Sequence, residues 1–297
     1  SIDNNMNKKL YQSNYMRLSN LFEKWKNWEI STMRLLMLIN IYANRSFNDV
    51  NQYPVFPWII FDYKSDKLPD IKDILRPLGT PMGMLEISED SKQRKKDYLD
   101  HWEISRDDDD REDDYDRYGS HYSTSLYISY YLVRIFPFAS IRIELQGTSF
   151  DDPNRLFNSM KTSFECSTSQ KADVRELVPE LFCMPEILLN NNDFNLGEVK
   201  DHQDKDKIKI LQGVEMPNWC NNDAYEFIKI HREILESKQV SSTLNEWINL
   251  IFGSKQKAPE ANEIHNLFNP QTYEDYESEF DEQVAEEQEI NLRMLEF

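Results

Sequence analysis

Two prolines inside an apolar stretch constrain the fold of this chain more than any other feature of its sequence. The second half of the run from Arg45 to Tyr63 is among the most apolar parts of the chain, so it belongs in the interior. Pro54 and Pro57 each lack a backbone N–H and push the preceding residue toward extended geometry, which excludes a helix and argues against a central strand. The remaining N–H and C=O groups still need hydrogen-bond partners. We therefore predict an extended segment through the core, called the strap (Arg45–Tyr63), that is held partly by side chains.

Polar residues beside apolar runs are suited to hold such a backbone. Those at the start of the strap are Arg45, Asn48, Asp49, Asn51 and Gln52. An arginine in apolar company is usually paired with a carboxylate and hydrogen-bonded. The candidate network or interaction residues are Arg45, Asn48, Asp49, Gln52, Tyr53, Trp58, Arg76, His121, Tyr122, Arg134, Gln146, Asp151, Arg155 and Trp247. Two interpretations stay open: the set holds irregular backbone inside the protein, or part of it lines a groove for a partner.

Composition limits the classes of partner. A hydrophobic fraction of 39% is typical of globular proteins, while the net charge of −19 lacks the basic surface that nucleic acids need. The same charge disfavours unaided adsorption to an anionic membrane. Three widely spaced cysteines predict neither a disulfide framework nor a zinc site, and they fit a reducing, cytosolic compartment. No apolar run reaches the roughly 18 residues of a membrane span, so no transmembrane segment is expected.

Helical spacing and capping signals predict a mostly α protein. A segment packed on the core is expected over 18–28. Helices are expected after caps at Ser31 and Ser88, over 124–135, from Asp152, and after caps at Asp223 and Ser242, with Gly253 at the C′ position of the last. The basic cluster after Ser88 is interpreted as a solvated helix face; it consists of Lys92, Arg94, Lys95 and Lys96.

A single domain is the expected organisation. It covers residues 18–276, preceded by a polar arm over 1–17 and followed by an acidic, helix-prone tail over 277–297 that still belongs to it. Two charged loops, over 107–116 and 198–213, lie between core-forming segments and do not divide the core. Because the chain opens on Ser1, we expect it to be part of a longer protein.

No catalytic constellation is predicted. His121 and Ser123 suggest a hydrolase pair, but residues so close along a chain rarely form one and no glycine elbow surrounds the serine. A structural histidine is the favoured interpretation. Cys183 is interpreted as a core cysteine whose apolar context raises its pKa. The aspartate run over 107–116 lacks the spacing of a calcium loop, and the histidines are scattered, so no metal or cofactor is expected.

A series of motifs resembles the BEACH domain, named for the Beige and Chediak-Higashi proteins. The strap, together with Asn44 before it, reads NRSFNDVNQYPVFPWIIFDY. The resemblance extends over residues 22–276 through WEIS, PMG, YGSHYS, YLVRIFPF, LQG, FDDPNRLF, ELVPELF, NLG, LES and WINLIFGSKQK, in that order. So many motifs in the order of the family make the resemblance specific.

The resemblance implies a single domain of helices packed around core segments that lack regular secondary structure. It also implies a non-catalytic scaffolding role in large cytosolic proteins of vesicle traffic, membrane dynamics, lysosome-related organelles and autophagy, peripheral to vesicle or endolysosomal membranes. The expected partners are a PH-like domain, which the family places just before BEACH, and proteins or peptides of basic character. WD40 repeats usually follow. With about twenty residues before the match, the surface that receives the PH-like domain is expected to be bare. A hydrolase activity around His121, or direct lipid binding, is the alternative.

The chain departs from the family pattern at two turns. Asn44 stands where glycine is common, and asparagine tolerates left-handed geometry, so this turn is expected to survive. Lys257-Ala258 replaces a usual Arg-Gly, where a positive φ would be mildly strained.

Overall fold

The computed structural model describes most of the chain. The described residues are 16–106, 118–147, 149–150, 152–170, 173–200, 208–257 and 259–269. The predicted acidic loop over 107–116, the acidic tail over 277–297 and most of the arm over 1–17 lie outside the described residues.

Helices dominate the fold, as the sequence predicts. They are α1 (16–26), α2 (Thr32–Tyr42), α3 (Ile71–Ile74), α4 (Glu89–Arg106), α5 (Ser125–Tyr131), α6 (Phe138–Gln146), α7 (Met160–Ser169), α8 (Ala224–Leu235), α9 (Lys238–Ile251) and α10 (Glu260–Glu263). Short 3-10 turns join them, and the sheet among the described residues is a single antiparallel pair, β1 (Glu198–Lys200) and β2 (Ile208–Ile210). The mostly α class is confirmed.

The strap crosses the core as extended chain, also as predicted. Phe56, Trp58 and Ile60 are each 0% exposed. Among the described residues, the strap meets the rest of the backbone through two isolated bridges, from Phe56 to Leu177 and from Ile60 to Leu75, rather than through a continuous ladder. Backbone groups of Tyr53, Val55 and Trp58 are instead paired with side chains.

Most predicted caps are present, but one is wrong. Ser31 accepts a hydrogen bond from the Arg34 N–H at 3.2 Å, and Asp223 accepts one from the Glu226 N–H at 2.9 Å. Helix α9 begins instead after Ser237, and Ser242 lies inside it with its hydroxyl donating to the Gln239 carbonyl. Gly253 follows the C-cap Phe252 and so occupies the C′ position as predicted, although its φ is −108° rather than positive.

Two helix boundaries differ from prediction where burial overrides the apolar spacing. After Asp152 the chain makes only one 3-10 turn, Pro153–Arg155, and α7 begins at Met160. Leu156 and Phe157 are nearly inaccessible to solvent, at 1% and 0%, and Leu156 is extended, so these residues enter the core from a turn. Helix α5 ends at Tyr131 because Leu132 and Val133, both 0% exposed, continue into the core as a turn.

The loop predicted over 198–213 contains the hairpin of β1 and β2, so its description as a loop was incomplete. Val199 packs against the core from β1 and so anchors this strand to the rest of the domain. No helix in the described part of the chain is long and apolar enough to cross a membrane.

Arg94 corrects the interpretation of the basic cluster as a solvated face. It is only 5% exposed, and its guanidinium donates to the carbonyls of Ser167 at 2.9 Å and Asp173 at 3.2 Å, and also to that of Met82. The guanidinium thereby ties α4 to irregular chain after α7. Lys92 and Lys95, by contrast, pair with Glu89 and Glu86 on the surface.

The two unusual turns keep unstrained geometry where they are described. Asn44 has φ of 60°, so the predicted left-handed turn is present. Lys257 has φ of −129°, which any residue adopts, and Ala258 lies outside the described residues.

Candidate functional site: an exposed corner on a buried polar network

Glu176 is the centre of a buried polar network, although the sequence analysis did not single it out. Its carboxylate is 3% exposed and accepts from Arg76 Nη1 at 2.7 and 2.8 Å, from the Trp58 N–H at 2.9 Å, and from Trp247 Nε1 at 3.1 Å. The network therefore joins the strap, the chain after α3, helix α9 and the segment that contains Glu176. The three predicted members Trp58, Arg76 and Trp247 do come together.

Arg76 and Trp58 extend this network to neighbouring backbone. The Nη2 atom of Arg76 donates to the Thr80 carbonyl at 3.1 Å, and the Trp58 indole donates to the Arg175 carbonyl at 3.0 Å. Every one of these groups is shielded from water, so losing one partner leaves an unpaired charge or polar group in the core. The network thus ties irregular chain to helix α9.

Asn40 is a second residue that the sequence analysis missed. It is 0% exposed on α2, and its amide pairs with both backbone groups of Val55: Oδ1 accepts from the N–H at 2.8 Å and Nδ2 donates to the carbonyl at 3.0 Å. The Asn40 amide thus makes the two hydrogen bonds that a neighbouring strand would otherwise make to Val55. The signal available in the sequence was a lone asparagine inside an apolar helix, and Glu176 directly precedes the apolar residues Leu177 and Val178.

A tyrosine–glutamate pair closes the surface end of the strap. The Tyr53 hydroxyl donates to Glu180 Oε1 at 2.6 Å, and the two residues are 2% and 8% exposed. Burial raises the pKa of the Glu180 carboxyl and, together with that carboxylate, raises the pKa of Tyr53. The Phe47 ring meets Tyr53 edge-on, with centroids 5.4 Å apart. Phe47 therefore packs against a tyrosine whose position is fixed by its hydrogen bond to Glu180.

The polar start of the strap folds into a compact turn. Arg45 is buried and its Nη1 donates to the Tyr53 carbonyl at 2.8 Å. Asp49 Oδ1 accepts from the N–H groups of Asn51 at 2.9 Å and Gln52 at 3.0 Å, while Asn48 is exposed. Arg45 and Asp49 thus hydrogen-bond backbone groups of the strap, whereas Asn48 is exposed to solvent.

Three large apolar side chains remain exposed at this turn. Ile41 is 58% exposed, Tyr42 is 38% exposed and Phe47 is 44% exposed. They lie where the end of α2 meets the strap, and we call Ile41, Tyr42, Phe47 and Asn48 the corner. The Asn44 N–H donates to the Ile41 carbonyl at 3.1 Å and the Ser46 N–H to the Gln52 carbonyl at 2.9 Å, which fixes the backbone between them.

The remaining predicted residues do not join the Glu176 network in the contacts described. Arg134 is 0% exposed and donates to the carbonyls of Gln212 at 2.9 Å and Phe157 at 2.6 Å. The expected carboxylate partner is thus replaced by carbonyls among the described residues, and burial lowers the pKa of Arg134 to about 10. Gln146 ends α6 half-buried, Arg155 is exposed, and Asp151 lies outside the described residues.

His121 and Tyr122 are structural in their described contacts. His121 is 5% exposed, and its Nδ1 accepts from the Ser123 N–H at 3.1 Å, while the buried Ser123 hydroxyl has no hydrogen-bond partner among the described residues. The geometry therefore shows no nucleophile–base pair here. The Tyr122 hydroxyl donates to the Ile251 carbonyl at 3.0 Å and accepts from Gln256 at 3.0 Å.

Cys183 corrects another prediction, because it is exposed rather than part of the core. Desolvation of its thiol and the nearby Glu180 still raise its pKa, in the predicted direction. Among the described residues, no group of three or more histidine, cysteine or carboxylate side chains is placed to hold a metal ion.

Comparison with known proteins agrees with this architecture. The family model described as Beige/BEACH domain matches residues 23–296. The BEACH domain-containing protein lvsE of Dictyostelium discoideum is 40% identical over 290 residues, which is 97% of this chain and 13% of that protein. BEACH domain-containing protein B of Arabidopsis thaliana is 41% identical over 253 residues, 85% of this chain and 9% of that protein.

A fungal relative gives the same result: Beige protein homolog 1 of Saccharomyces cerevisiae is 41% identical over 254 residues, covering 84% of this chain and 11% of its own length. The chain therefore spans between 9% and 13% of these three relatives. The match of the family model and these identities show that the chain belongs to the BEACH domain family.

Proposed function

We propose that this chain is a non-catalytic protein-interaction and scaffolding module of a larger BEACH-family protein that acts in vesicle trafficking, membrane dynamics, lysosome-related organelles or autophagy. It works in the cytoplasm, peripheral to vesicle and endolysosomal membranes. The corner receives an adjacent PH-like domain of the same full-length protein, and further partners are proteins of basic character. The observation that carries the proposal is the exposure of Ile41, Tyr42 and Phe47 on a buried, hydrogen-bonded base.

The corner has the composition of an interface centre. Aromatic side chains supply much of the binding energy at protein interfaces, and they do so best when their position is fixed before binding. Phe47 rests on Tyr53, which is itself held by Glu180, so little conformational freedom is lost when a partner covers the ring. Asn48 adds an exposed amide that can donate and accept at the rim.

The charge of the chain favours a partner of the opposite sign. A net charge of −19 attracts basic surfaces and speeds their encounter, and this steering weakens as salt rises. The apolar contacts at the corner are insensitive to salt in comparison. We therefore expect the association rate to fall as salt rises, and the lifetime of the complex to depend on the apolar contacts at the corner.

The test is calorimetric titration of the chain with the PH-like domain of its own full-length protein across a salt series. The double variant Tyr42→Ala/Phe47→Ala is expected to weaken binding by at least about tenfold at every salt concentration, because it removes two apolar anchors. Leu126→Ala is the matched control, since Leu126 is 52% exposed on α5, away from the corner in sequence. It should bind like the unmodified chain.

If the corner variant binds the PH-like domain as the unmodified chain does, and its melting temperature is unchanged, then the PH-like domain binds a surface other than the corner. Absence of binding at high micromolar concentration of the PH-like domain would reject docking of that domain altogether for this chain.

A further inference from the structure

The hairpin of β1 and β2 presents an unusual face to solvent. Glu198 pairs with Ile210, Val199 with Lys209, and Lys200 with Ile208. Residues directly opposite each other in such a pair lie on the same face. Val199 packs against the core, so Ile208 and Ile210 lie on the face that points away from it. They are 68% and 59% exposed, at positions where an outward strand face is normally polar.

The backbone groups of the same two isoleucines point to an open edge. The Leu211 N–H donates to the Gly197 carbonyl at 2.9 Å. In an antiparallel pair, hydrogen-bonded and non-hydrogen-bonded positions alternate, so Lys209 exchanges its hydrogen bonds with Val199. The N–H and C=O groups of Ile208 and Ile210 must then face away from β1. Within the described part of the chain, no third strand pairs with that edge.

An edge with these properties is usually protected. Proteins shield such strands with charges, prolines, bulges or covering segments, because open donors and acceptors beside apolar side chains accept another strand. Here two exposed isoleucines flank one lysine, and no carboxylate among the described residues pairs with Lys209. Short strand edges of this kind are used for partner recognition by strand addition.

We propose that β2 is a docking edge for an extended segment of a partner protein, in which an acidic residue lies between two apolar residues. The apolar residues pack beside Ile208 and Ile210, and the acidic one lies opposite Lys209, on the other face. This inference concerns a different surface from the corner and does not depend on it.

Charge selects this occupant over a second copy of the chain. Symmetric antiparallel pairing of two β2 strands through the register centred on Lys209 would place Lys209 directly opposite its own counterpart. Like charges at opposed positions destabilise a strand pair. A carboxylate at that position of a partner segment instead forms an ion pair with Lys209, while the apolar alternation is kept.

The test uses a synthetic probe, the peptide acetyl-Ser-Thr-Val-Glu-Val-Thr-Ser-amide, titrated into the isotope-labelled full chain. The peptide is expected to shift the backbone amide NMR signals of Ile208 and Ile210 with a dissociation constant of about a millimolar or tighter. A peptide with lysine in place of glutamate should bind several-fold more weakly. The corner variant Tyr42→Ala/Phe47→Ala should bind the glutamate peptide normally, which separates this inference from the proposed function.

Two substitutions at one position separate backbone pairing from apolar contact. Ile210→Pro removes the N–H that faces the edge and leaves the pairing of Lys209 with Val199 in place, since proline is tolerated where the N–H points outward. It should abolish binding. Ile210→Thr keeps the N–H and should weaken binding only by about tenfold or less, because only an apolar contact is lost.

Hydrogen exchange in the free chain provides a measurement that needs no probe. The amides of Ile208 and Ile210 should exchange much faster than those of Lys209 and Leu211, which are hydrogen-bonded to β1. Slow exchange at both isoleucines would show that the chain already covers this edge, and would overturn the inference. Absence of any shift at these two amides in millimolar glutamate peptide, or equal binding by Ile210→Pro, would overturn it as well.

Discussion

Single residues that are far apart in the sequence hold this fold together. Glu176 receives four hydrogen bonds from residues in three other segments, and Arg76 is the only charged one among these donors. Asn40 likewise links two segments, because its side-chain amide hydrogen-bonds both the N–H and the carbonyl of Val55. A buried pair such as Arg76–Glu176 gains little over a well-packed apolar pair, but loss of one member is costly because the other charge remains.

Glu176→Gln is therefore expected to lower the free energy of unfolding by about 3–5 kcal/mol, since it leaves the Arg76 charge without a counter-charge. Urea denaturation at neutral pH measures this loss. The double variant Arg76→Met/Glu176→Gln removes both charges and, like the single variant, keeps one carboxamide oxygen for either the Trp58 N–H or the Trp247 indole, which bond different oxygens of Glu176. It should be more stable than Glu176→Gln alone. A double variant less stable than the single one would mean that Arg76 acts mainly through other contacts.

Trp28 carries a backbone conformation that suits a different residue. Its φ is 60° and its side chain is 54% exposed, whereas asparagine and glycine adopt this region at lower cost. Trp28→Asn and Trp28→Ala remove the same indole, but only asparagine tolerates the left-handed turn well. The asparagine variant should therefore be more stable than the alanine variant by about 1 kcal/mol in urea denaturation. Equal stabilities would show that the turn relaxes to another conformation.

At the scale of elements, the strap is a strand whose neighbours are side chains. Helix α2 contributes Asn40, and the segment around Glu176 contributes a carboxylate, while the backbone contacts are limited to isolated bridges. Helix α2 is in turn capped from another element, because Glu236 at the end of α8 accepts from the Thr32 N–H at 2.6 Å and the Met33 N–H at 3.1 Å.

Asn40→Ala tests whether α2 supports the strap. The variant leaves the N–H and carbonyl of Val55 unpaired in the core, which should cost about 2–4 kcal/mol and speed exchange of the Val55 amide. Ser31→Ala removes the N-cap of the same helix and should cost only about 1 kcal/mol, with the Val55 amide unaffected. Similar effects of the two variants on that amide would mean that the strap responds to helix stability in general.

The sequence predicted the strap because the constraint of Pro54 and Pro57 is local. It also predicted the caps at Ser31 and Asp223, whose partners lie within three residues. It missed Glu176 and Asn40 because their partners are distant along the chain, so an apolar context could mark these residues but could not identify what they bind. Arg94 was misplaced for the same reason, since two of its carbonyl acceptors, those of Ser167 and Asp173, lie more than seventy positions later. Short-range signals predict element types, whereas long-range pairing determines which polar residues become buried.

At the scale of the whole molecule, pH acts on stability through opposing groups. His231 on α8 is 0% exposed, stacks on Phe182 with ring centroids 4.4 Å apart, and has its pKa lowered by burial from 6.5 to about 4. The unfolded chain therefore takes up this proton first. The stability contributed by neutral His231 is complete above pH 6.5 and is lost as the pH falls toward 4. Glu180 acts in the opposite sense. Burial raises the pKa of its carboxyl, so the folded state binds this proton more readily than the unfolded chain does and is favoured at low pH.

His231→Phe isolates the histidine contribution. It keeps an aromatic ring for the stack and removes the titrating group, at the cost of the hydrogen bond between Nδ1 and the Leu181 carbonyl. Between pH 6.5 and 4.5 the unmodified chain should lose stability relative to the variant with a slope approaching about 1.4 kcal/mol per pH unit. Urea denaturation of both proteins at pH 5 and pH 7 gives the difference. Parallel pH profiles would mean that His231 titrates normally.

The dispersed partners of the strap also bear on how this protein is made. Trp58 is synthesised long before Glu176, which receives its backbone N–H, and Trp247 follows later still. At a ribosomal rate of about 5–20 residues per second, the interval between Trp58 and Trp247 is roughly 10–40 s. During that time the apolar strap is exposed, and its backbone groups lack the side-chain partners that they have in the folded protein. Nascent chains of this protein should therefore depend on chaperones until the residues of α9 have emerged.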